Sequence, residues 1–504
     1  MLNLTVRSKW TGLCGGLCLG LLSAPLFTAQ AATLSTLFAF DLHQTAAGVV
    51  EGTGSNLGAL FGTTSDTTLS YGGSIYKVGL NGGAPQIIYQ LQSNDGYSPQ
   101  AALLASSDGN LYGTTRYAAR SGTNLSVGAG TVFRITQAGT GFTTLHTFNV
   151  TAHGAYPDRQ LIEDATWLYG VTTLGGNSGT GTAFRLRKSD GFFQVLHHFA
   201  AIDGTGANSS GTGAIREGAF PASSLTLSGG RLYGVTSGGG ANLKTISSGT
   251  AGLITTGTGT LYSLNVDGTG FTTHYNFSAL DDTATDPNDS TKILSYNTDG
   301  VQPSGTLLEV SPGVLWGVTS DGGNPAAGTA TGYGTVFSYN SLNSTLTAVH
   351  AFNNDNGAVP SGTLVKDRLS GVIYGATLSG SATTTPVRQF GGLFRITPGT
   401  GVFAEEYTLA FTQGSNLTGG LIQASDNDLY TTTSFGNACT SITANGYGAV
   451  LRYSLATNAN AAGYSSCTQF QSNSNSGGGA LQAGWLWLLA ALGLVPVARR
   501  FRRG

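Results

Sequence analysis

The sequence predicts an all-β fold, a seven-bladed β-propeller of four-stranded blades closed by an N-terminal strand. Three observations carry that prediction. A Leu-aromatic-Gly-x-Thr motif recurs along the chain, each copy is followed by the same short aromatic and β-branched segments, and the body shows no sustained helical period. Composition agrees with this. Of 504 residues 77 are Gly, with 10% charged and 40% hydrophobic, against roughly 7% Gly and 25% charged in an ordinary chain. Thirteen prolines without a three-residue Gly period exclude collagen, and 10% aromatics supply core material that a disordered chain lacks.

Each repeat contains four elements. Element A is Pro-x-x-x-Leu, with Pro99, Pro157, Pro221, Pro303 and Pro360 each four residues ahead of Leu103, Leu161, Leu225, Leu307 and Leu364. Element B is the Leu-aromatic-Gly motif, at Gly62, Gly113, Gly170, Gly234, Gly317 and Gly375, with Leu429-Tyr430-Thr431 as a degenerate seventh. Element C centres on Tyr76, Phe133, Phe184, Tyr262, Phe337, Phe394 and Leu451. Element D follows it, as in TLHTF at 144–148 and VLHHF at 195–199. Gly, Asp-Gly and Ser/Thr turns separate the elements, so each reads as a strand of a meander. One such sheet cannot bury both faces, but seven arranged radially can, each packing on two neighbours. A linear solenoid and a ring of six or eight blades are the alternatives. Leu37-Phe38-Ala39-Phe40 looks like element D placed before the first repeat, where it can complete the last blade and remove an open edge. Cys467-Thr468-Gln469-Phe470 is the competing closure.

LYGTT, the Gly-rich link, GTVFRI and LHTF together resemble the Gloeo/Verruco (GloVer) tandem repeat over residues 34–455, best in residues 99–148. The last repeat departs from it at Thr431, where Gly is expected. The resemblance implies an exported, propeller-like protein with varied C-terminal anchors, and it implies no defined activity.

The domain plan is a signal peptide at 1–31, the propeller at 32–470, a Ser/Asn/Gly linker at 471–479 and an anchoring tail at 480–504. Arg7 and Lys9 precede an apolar run and a small-x-small site ending at Ala31, which a signal peptidase reads. Gly477, Gly478 and Gly479 precede an apolar run from Ala480 to Ala498 and four arginines, long enough to span a bilayer with its basic end in the cytoplasm. This tail resembles the GlyGly-CTERM sorting signal, which implies cleavage near the glycines by a rhomboid-type protease and a periplasmic or cell-surface location. Signal and tail hold six of the 23 basic residues and no acid, leaving 17 basic against 25 acidic residues, a net charge of −8. Such a body is not expected to bind nucleic acid. Cys439 and Cys467 are the two cysteines left in the exported chain and are expected to pair as a disulfide.

Little in the repeats suggests catalysis. His146, His197 and His350 occupy one element-D position that holds Phe38, Tyr89 or Tyr275 elsewhere, so a planar ring is wanted there rather than a proton. Lys77, Arg134, Arg185, Arg395 and Arg452 share one element-C position and read as snorkelling surface side chains, with an anionic glycan as their alternative partner. His-Glu-x-x-His, Gly-x-Ser-x-Gly and the sialidase Asp box are absent. Asp203, Glu217 and Glu309 offer carboxylates but no basis for pairing two of them, as glycoside cleavage requires. Long insertions at 200–220, 237–258 and 278–302 fall on the face formed by the D–A and B–C links, where binding sites usually lie. Asp281, Asp282, Asp286 and Asp289 in the last of these suit a hard cation, with calcium as the candidate; no other cofactor is expected. The expectation is a non-catalytic, surface-anchored propeller that binds a glycan or protein. An extracellular glycoside hydrolase or lyase and an architectural envelope protein are the alternatives.

Overall fold

The computed structural model describes residues 32–455 except 41–43, 46, 66–71, 93, 122–123, 203–216, 243–244, 249–251, 256, 281–284, 287–288, 294–296, 324–331, 354–355, 381–389, 410–413, 418 and 436–447. Its strands form seven antiparallel blades: 44–90, 104–147, 162–198, 218–276, 301–351, 358–408, and a seventh made of 422–454 together with Thr33–Ala39. Each blade runs A, B, C, D from the axis outwards, as the repeat predicts. Blade 5 is the fullest example, with Val301–Ser311, Val314–Asp321, Thr335–Asn340 and Thr345–Ala351 in that order.

The closing strand is the N-terminal one. Thr33–Ala39 pairs antiparallel with Ala449–Ser454 as strand D of blade 7. Its register confirms the role: an extra residue, Leu37, bulges between Thr36↔Leu451 and Phe38↔Val450. The other six C–D pairs shift register at the same place, for example between Val132 and Phe133 or Val336 and Phe337. A bulge adds local right-handed twist to the outer strands. Phe38 thereby takes the position of Tyr89, His146, His197, Tyr275, His350 and Tyr407 in the other blades. Leu37, Phe38 and Phe40 are buried in one cluster with Leu60, Tyr76 and Val78 of blade 1 and Tyr430 and Val450 of blade 7, so this segment seals the ring on both sides.

The repeated motif residues fill the blade core. In strand B the motif Gly lies opposite the strand-C aromatic, as in Gly317↔Phe337. A Cβ added to Gly317 would sit 2.5 Å from Phe337 Cζ and 2.7 Å from Leu307 Cδ2, so only Gly leaves the ring its place. In blades 2 to 5 the final Thr of the motif bonds across to the Thr of strand C, as in Thr319–Thr335 and Thr172–Thr182, both at 2.9 Å. These pairs satisfy buried hydroxyls that would otherwise be costly.

Element A departs from the expected simple strand. In blades 2, 3 and 7 the strand shrinks to Leu104–Ala105, Ile162–Glu163 and Ile422–Gln423, and in blades 1 and 4 it is split in two. The proline position has a common backbone in long and short A strands alike. Pro has no N–H for the ladder, and the residue before it is left-handed in every blade that has one. Ser98, Tyr156, Phe220, Gln302 and Val359 have φ of 59, 60, 60, 54 and 53°. The A–B and C–D turns are short, while the D–A and B–C links carry the insertions, including hairpins at 245–255 and 285–293.

Candidate functional site

The three residues between Pro and Leu of element A form the wall of the axial channel. Their position is fixed by contacts between blades. The left-handed residue before Pro donates its N–H to a B–C carbonyl of the preceding blade: Ser98 to Gly72 at 2.8 Å, Tyr156 to Ala129 at 2.9 Å, and Val359 to Tyr333 at 2.9 Å. The proline ring then lies on the glycine that opens strand C of that blade. A Cβ on Gly130 would approach Pro157 Cδ to 2.6 Å, and one on Gly334 would approach Pro360 Cδ to 2.5 Å. A non-Gly residue in this region costs about 1–3 kcal/mol, which the inter-blade hydrogen bond and proline packing offset. The proline of element A and the glycine of element C are thus two halves of one blade-to-blade latch.

The channel encloses a cavity of about 110 Å³, lined by residues from all seven blades. Its wall is mostly small or hydroxyl-bearing, with Ala101 and Ser224 typical, and Gln100 adds an amide. Blade 3 differs, contributing Asp158, Arg159 and Gln160. Arg116, from the B–C link of blade 2, pairs with Asp158 Oδ2 at 2.9 Å, and its guanidinium lies 4.6 Å from the centre of the Tyr156 ring. The cluster therefore sits at the channel end that opens on the long-loop face. Burial pushes the Asp158 carboxyl up, while Arg116 and Arg159 pull it back, and burial lowers Arg159. Asp158 Oδ1 and Arg159 Nε are both buried without a hydrogen-bond partner among the described residues.

The residues singled out in the sequence are mostly placed elsewhere. His146, His197 and His350 stack flat on Phe193, Phe271 and Phe403 of the next blade, at 3.7, 3.9 and 3.8 Å between ring centres. Tyr89 does the same with Phe142 at 4.5 Å. Desolvation holds His146 and His350 down to about 4. Glu217 is 2.5 Å from His197 Nε2 and accepts from the Ala200 N–H at 3.1 Å. Asp95 clips Tyr89 and Gln92 in the same way, and Asp299 clips Tyr275 and Ser278. Glu309 reaches Ser228 of the preceding blade at 2.6 Å, as Glu163 reaches Ser106 at 2.5 Å. These acids fasten loops and blades.

The strand-C bases are also engaged, Arg134 with Tyr112 of the adjacent strand B. Lys77 donates to Asn56, Arg185 grips Gln194 and lies over Trp167, Arg395 pairs with Glu406, and Arg452 with Asp428. Asp203, Asp281, Asp282, Cys439, Cys467, Ala31 and Gly477–Gly479 lie outside the described residues, as does the competing closure at 467–470. Asp286 and Asp289 fall on the 285–293 hairpin. Among the described residues, no group of three or more His, Cys, Asp and Glu is arranged to hold a metal ion, and no helix is long and apolar enough to cross a membrane.

Asp158, Arg159 and Arg116 were not singled out by sequence reasoning. A signal was present, because the Pro-x-x-x-Leu triplet reads Gln-Ala-Ala, Ala-Ser-Ser, Ser-Gly-Thr and Ser-Gly-Thr in blades 2, 4, 5 and 6, and Asp-Arg-Gln in blade 3.

No curated protein matches the chain. Solved structures similar to it include a nidogen/laminin complex, at 12% identity and a TM-score of 0.34 over 66% of this chain and 85% of that one. An oligogalacturonate lyase from Vibrio parahaemolyticus matches at 8% and 0.44, over 84% and 97%, and an oligogalacturonate lyase in complex with manganese at 10% and 0.40, over 79% and 86%. Identities this low bear on fold and not on chemistry. Residues 26–244 and 285–491 match the Gloeobacter/Verrucomicrobia repeat. With most of its length in those two stretches, and with the Pro–Gly latch, the Gly–aromatic core pair and the Thr–Thr bridge built from its recurring residues, the chain belongs to the Gloeobacter/Verrucomicrobia repeat family.

Proposed function

We propose that the protein is a non-catalytic, exported propeller, anchored through its C-terminal tail, that binds a glycan or protein ligand on the long-loop face. The observation that carries this reading is how the carboxylates are used. Glu163, Glu217, Glu309, Asp95 and Asp299 are committed to holding loops and blades. The channel mouth is a wall of small, hydroxyl and amide groups around the Asp158–Arg116 pair. Glycoside cleavage uses two carboxylates facing each other a few ångströms apart, whereas long loops held on a rigid scaffold suit recognition. Export follows from cleavage after Ala31, and surface attachment from processing near Gly477–Gly479.

The test is a glycan-array screen of the full chain, with and without calcium, in which the same wells are assayed for released sugar. Saturable binding without turnover is the expected result. Loss of binding on chelation supports a calcium site, with the loop holding Asp281, Asp282, Asp286 and Asp289 as its candidate place. Released product overturns the non-catalytic reading in favour of a hydrolase or lyase.

A further inference from the structure

The channel wall is neutral in every blade but one. At the axis, six blades contribute small or amide side chains, and blade 3 alone contributes an acid followed by a base, Asp158 and Arg159. Neither is needed to hold the ring, since blades 2, 4, 5 and 6 make the same Pro–Gly latch without them. Each also leaves a buried atom unsatisfied: Asp158 Oδ1, an acceptor, and Arg159 Nε, a donor. A buried unpaired polar atom is expensive, and a polar partner bound in the channel would offset that cost. Arg116 already occupies the other oxygen of Asp158. The three side chains together carry one net positive charge inside a body whose net charge is −8.

The missing partner is defined by these atoms. It must accept from a guanidinium, which favours a carboxylate, and it must also donate to a carboxylate oxygen, which calls for a hydroxyl. A cavity of about 110 Å³ limits it to a small molecule or the end of a chain. We infer that the blade-3 end of the channel is a binding site for a hydroxy-carboxylate, such as a uronate residue, with Arg159 taking the carboxylate and Asp158 a hydroxyl. Gln100 and Ser224, also in the wall, are further polar partners within the same cavity. The site opens on the same face as the long loops but is built from the channel wall, so the two readings are tested by different ligands.

Calorimetric titration of the full chain in detergent solution with D-glucuronate, D-glucose and acetate tests the assignment. Glucose keeps the hydroxyls without the acid, and acetate keeps the acid without the hydroxyls. Glucuronate is expected to bind at least tenfold more tightly than either, and Arg159→Gln is expected to weaken it at least tenfold. Arg159→Lys, which keeps the charge but not the Nε donor, falls between. Equal affinity for the three compounds, no uptake of glucuronate, or unchanged uptake by Arg159→Gln overturns the assignment. The three-compound comparison on the unmutated chain decides it even if the variants do not fold. An array that is silent while glucuronate binds removes the macromolecular reading alone, and array binding without glucuronate uptake removes the channel site alone.

Discussion

Blades 5 and 7 share the register of strands B, C and D and fill it with opposite side chains. In blade 5 the centre of the sheet is a bare Gly317 under a Phe337 ring. In blade 7 the same pair is Thr431 and Leu451, both buried. The apparent degeneracy of the seventh motif is therefore a compensated exchange, because without an aromatic ring lying across strand B there is room for a Thr side chain. Blade 5 is one continuous stretch, whereas blade 7 borrows strand D from the N-terminus. Where blade 5 has Ser338, blade 7 has Arg452, buried in an ion pair with Asp428 at 2.6 Å and backed by Ser454 at 3.0 Å. The register is common to all blades, and what fills it only has to be complementary.

The sharpest way to break the comparison is at the borrowed strand. Phe38 and Phe40 pack on blade 7 and blade 1 together, with Phe40 at 5.2 Å from the Tyr76 ring. Removing one buried Phe side chain costs about 3–5 kcal/mol. Phe38→Ala with Phe40→Ala is expected to abolish the cooperative thermal transition and to shift the chain to larger species in size-exclusion chromatography, as the outer edge of blade 7 opens. A double variant that melts as the parent does would mean that the ring is closed by another segment, with 467–470 the first to examine.

A smaller effect tests the exchange itself. Gly317→Thr places a Cβ 2.5 Å from Phe337 Cζ and should cost about 1–3 kcal/mol through overpacking. Phe337→Leu alone should cost about 1–2 kcal/mol, the smaller side of a buried large-to-small change. The double variant transplants the blade-7 pair into blade 5 and is expected to be more stable than the sum of the single changes, by about 0.5–3 kcal/mol of coupling. Denaturant midpoints of the four proteins give this directly. Strict additivity would show that the two positions do not share one packing problem.

Most of the fold was legible because the repeat prints the same contacts in blade after blade. Gly317, Phe337, Leu307 and Thr319 are identifiable as one unit when their counterparts recur in order. The closing strand was legible for the same reason, since Leu37–Phe40 carries the element-D pattern. The latch was not legible. It depends on a left-handed residue before Pro, and Tyr156, Phe220 and Val359 are residue types that give no sign of that conformation. The channel cluster was missed for a different reason. Asp158 and Arg159 each occur once, in a triplet whose position at the axis only the closed ring defines, and Arg116 reaches Asp158 from a different blade. Repetition reveals architecture, and it hides whatever a single blade does alone.

The smallest effect separates blades 5 and 7 at strand D, where His350 and Phe38 hold equivalent positions. His350 stacks at 3.8 Å on Phe403, stands edge-on to Phe352, and meets Asn356 Nδ2 through its Nε2 at 3.2 Å. Burial among these groups keeps it neutral and holds its pKa down to about 4. His146 is held down to about 4 by burial against Phe193 and Phe148, with His153 beside it adding to the shift. In the unfolded chain both rings titrate near 6.5. Between pH 6.5 and 4 the unfolded state therefore binds more protons than the folded one, and stability falls as the pH drops through that window. Above pH 6.5 the stability is fully present, and below about 4 these two groups remove no more. Blade 7 shows that the position accepts Phe. His146→Phe with His350→Phe should thus leave the melting temperature near pH 7.5 within a degree or two, roughly the scale of a sub-kcal/mol change. Its decline between pH 6.5 and 4 should become shallower. A decline as steep as the parent's would assign the acid sensitivity of the ring to its carboxylate clips rather than to its stacked histidines.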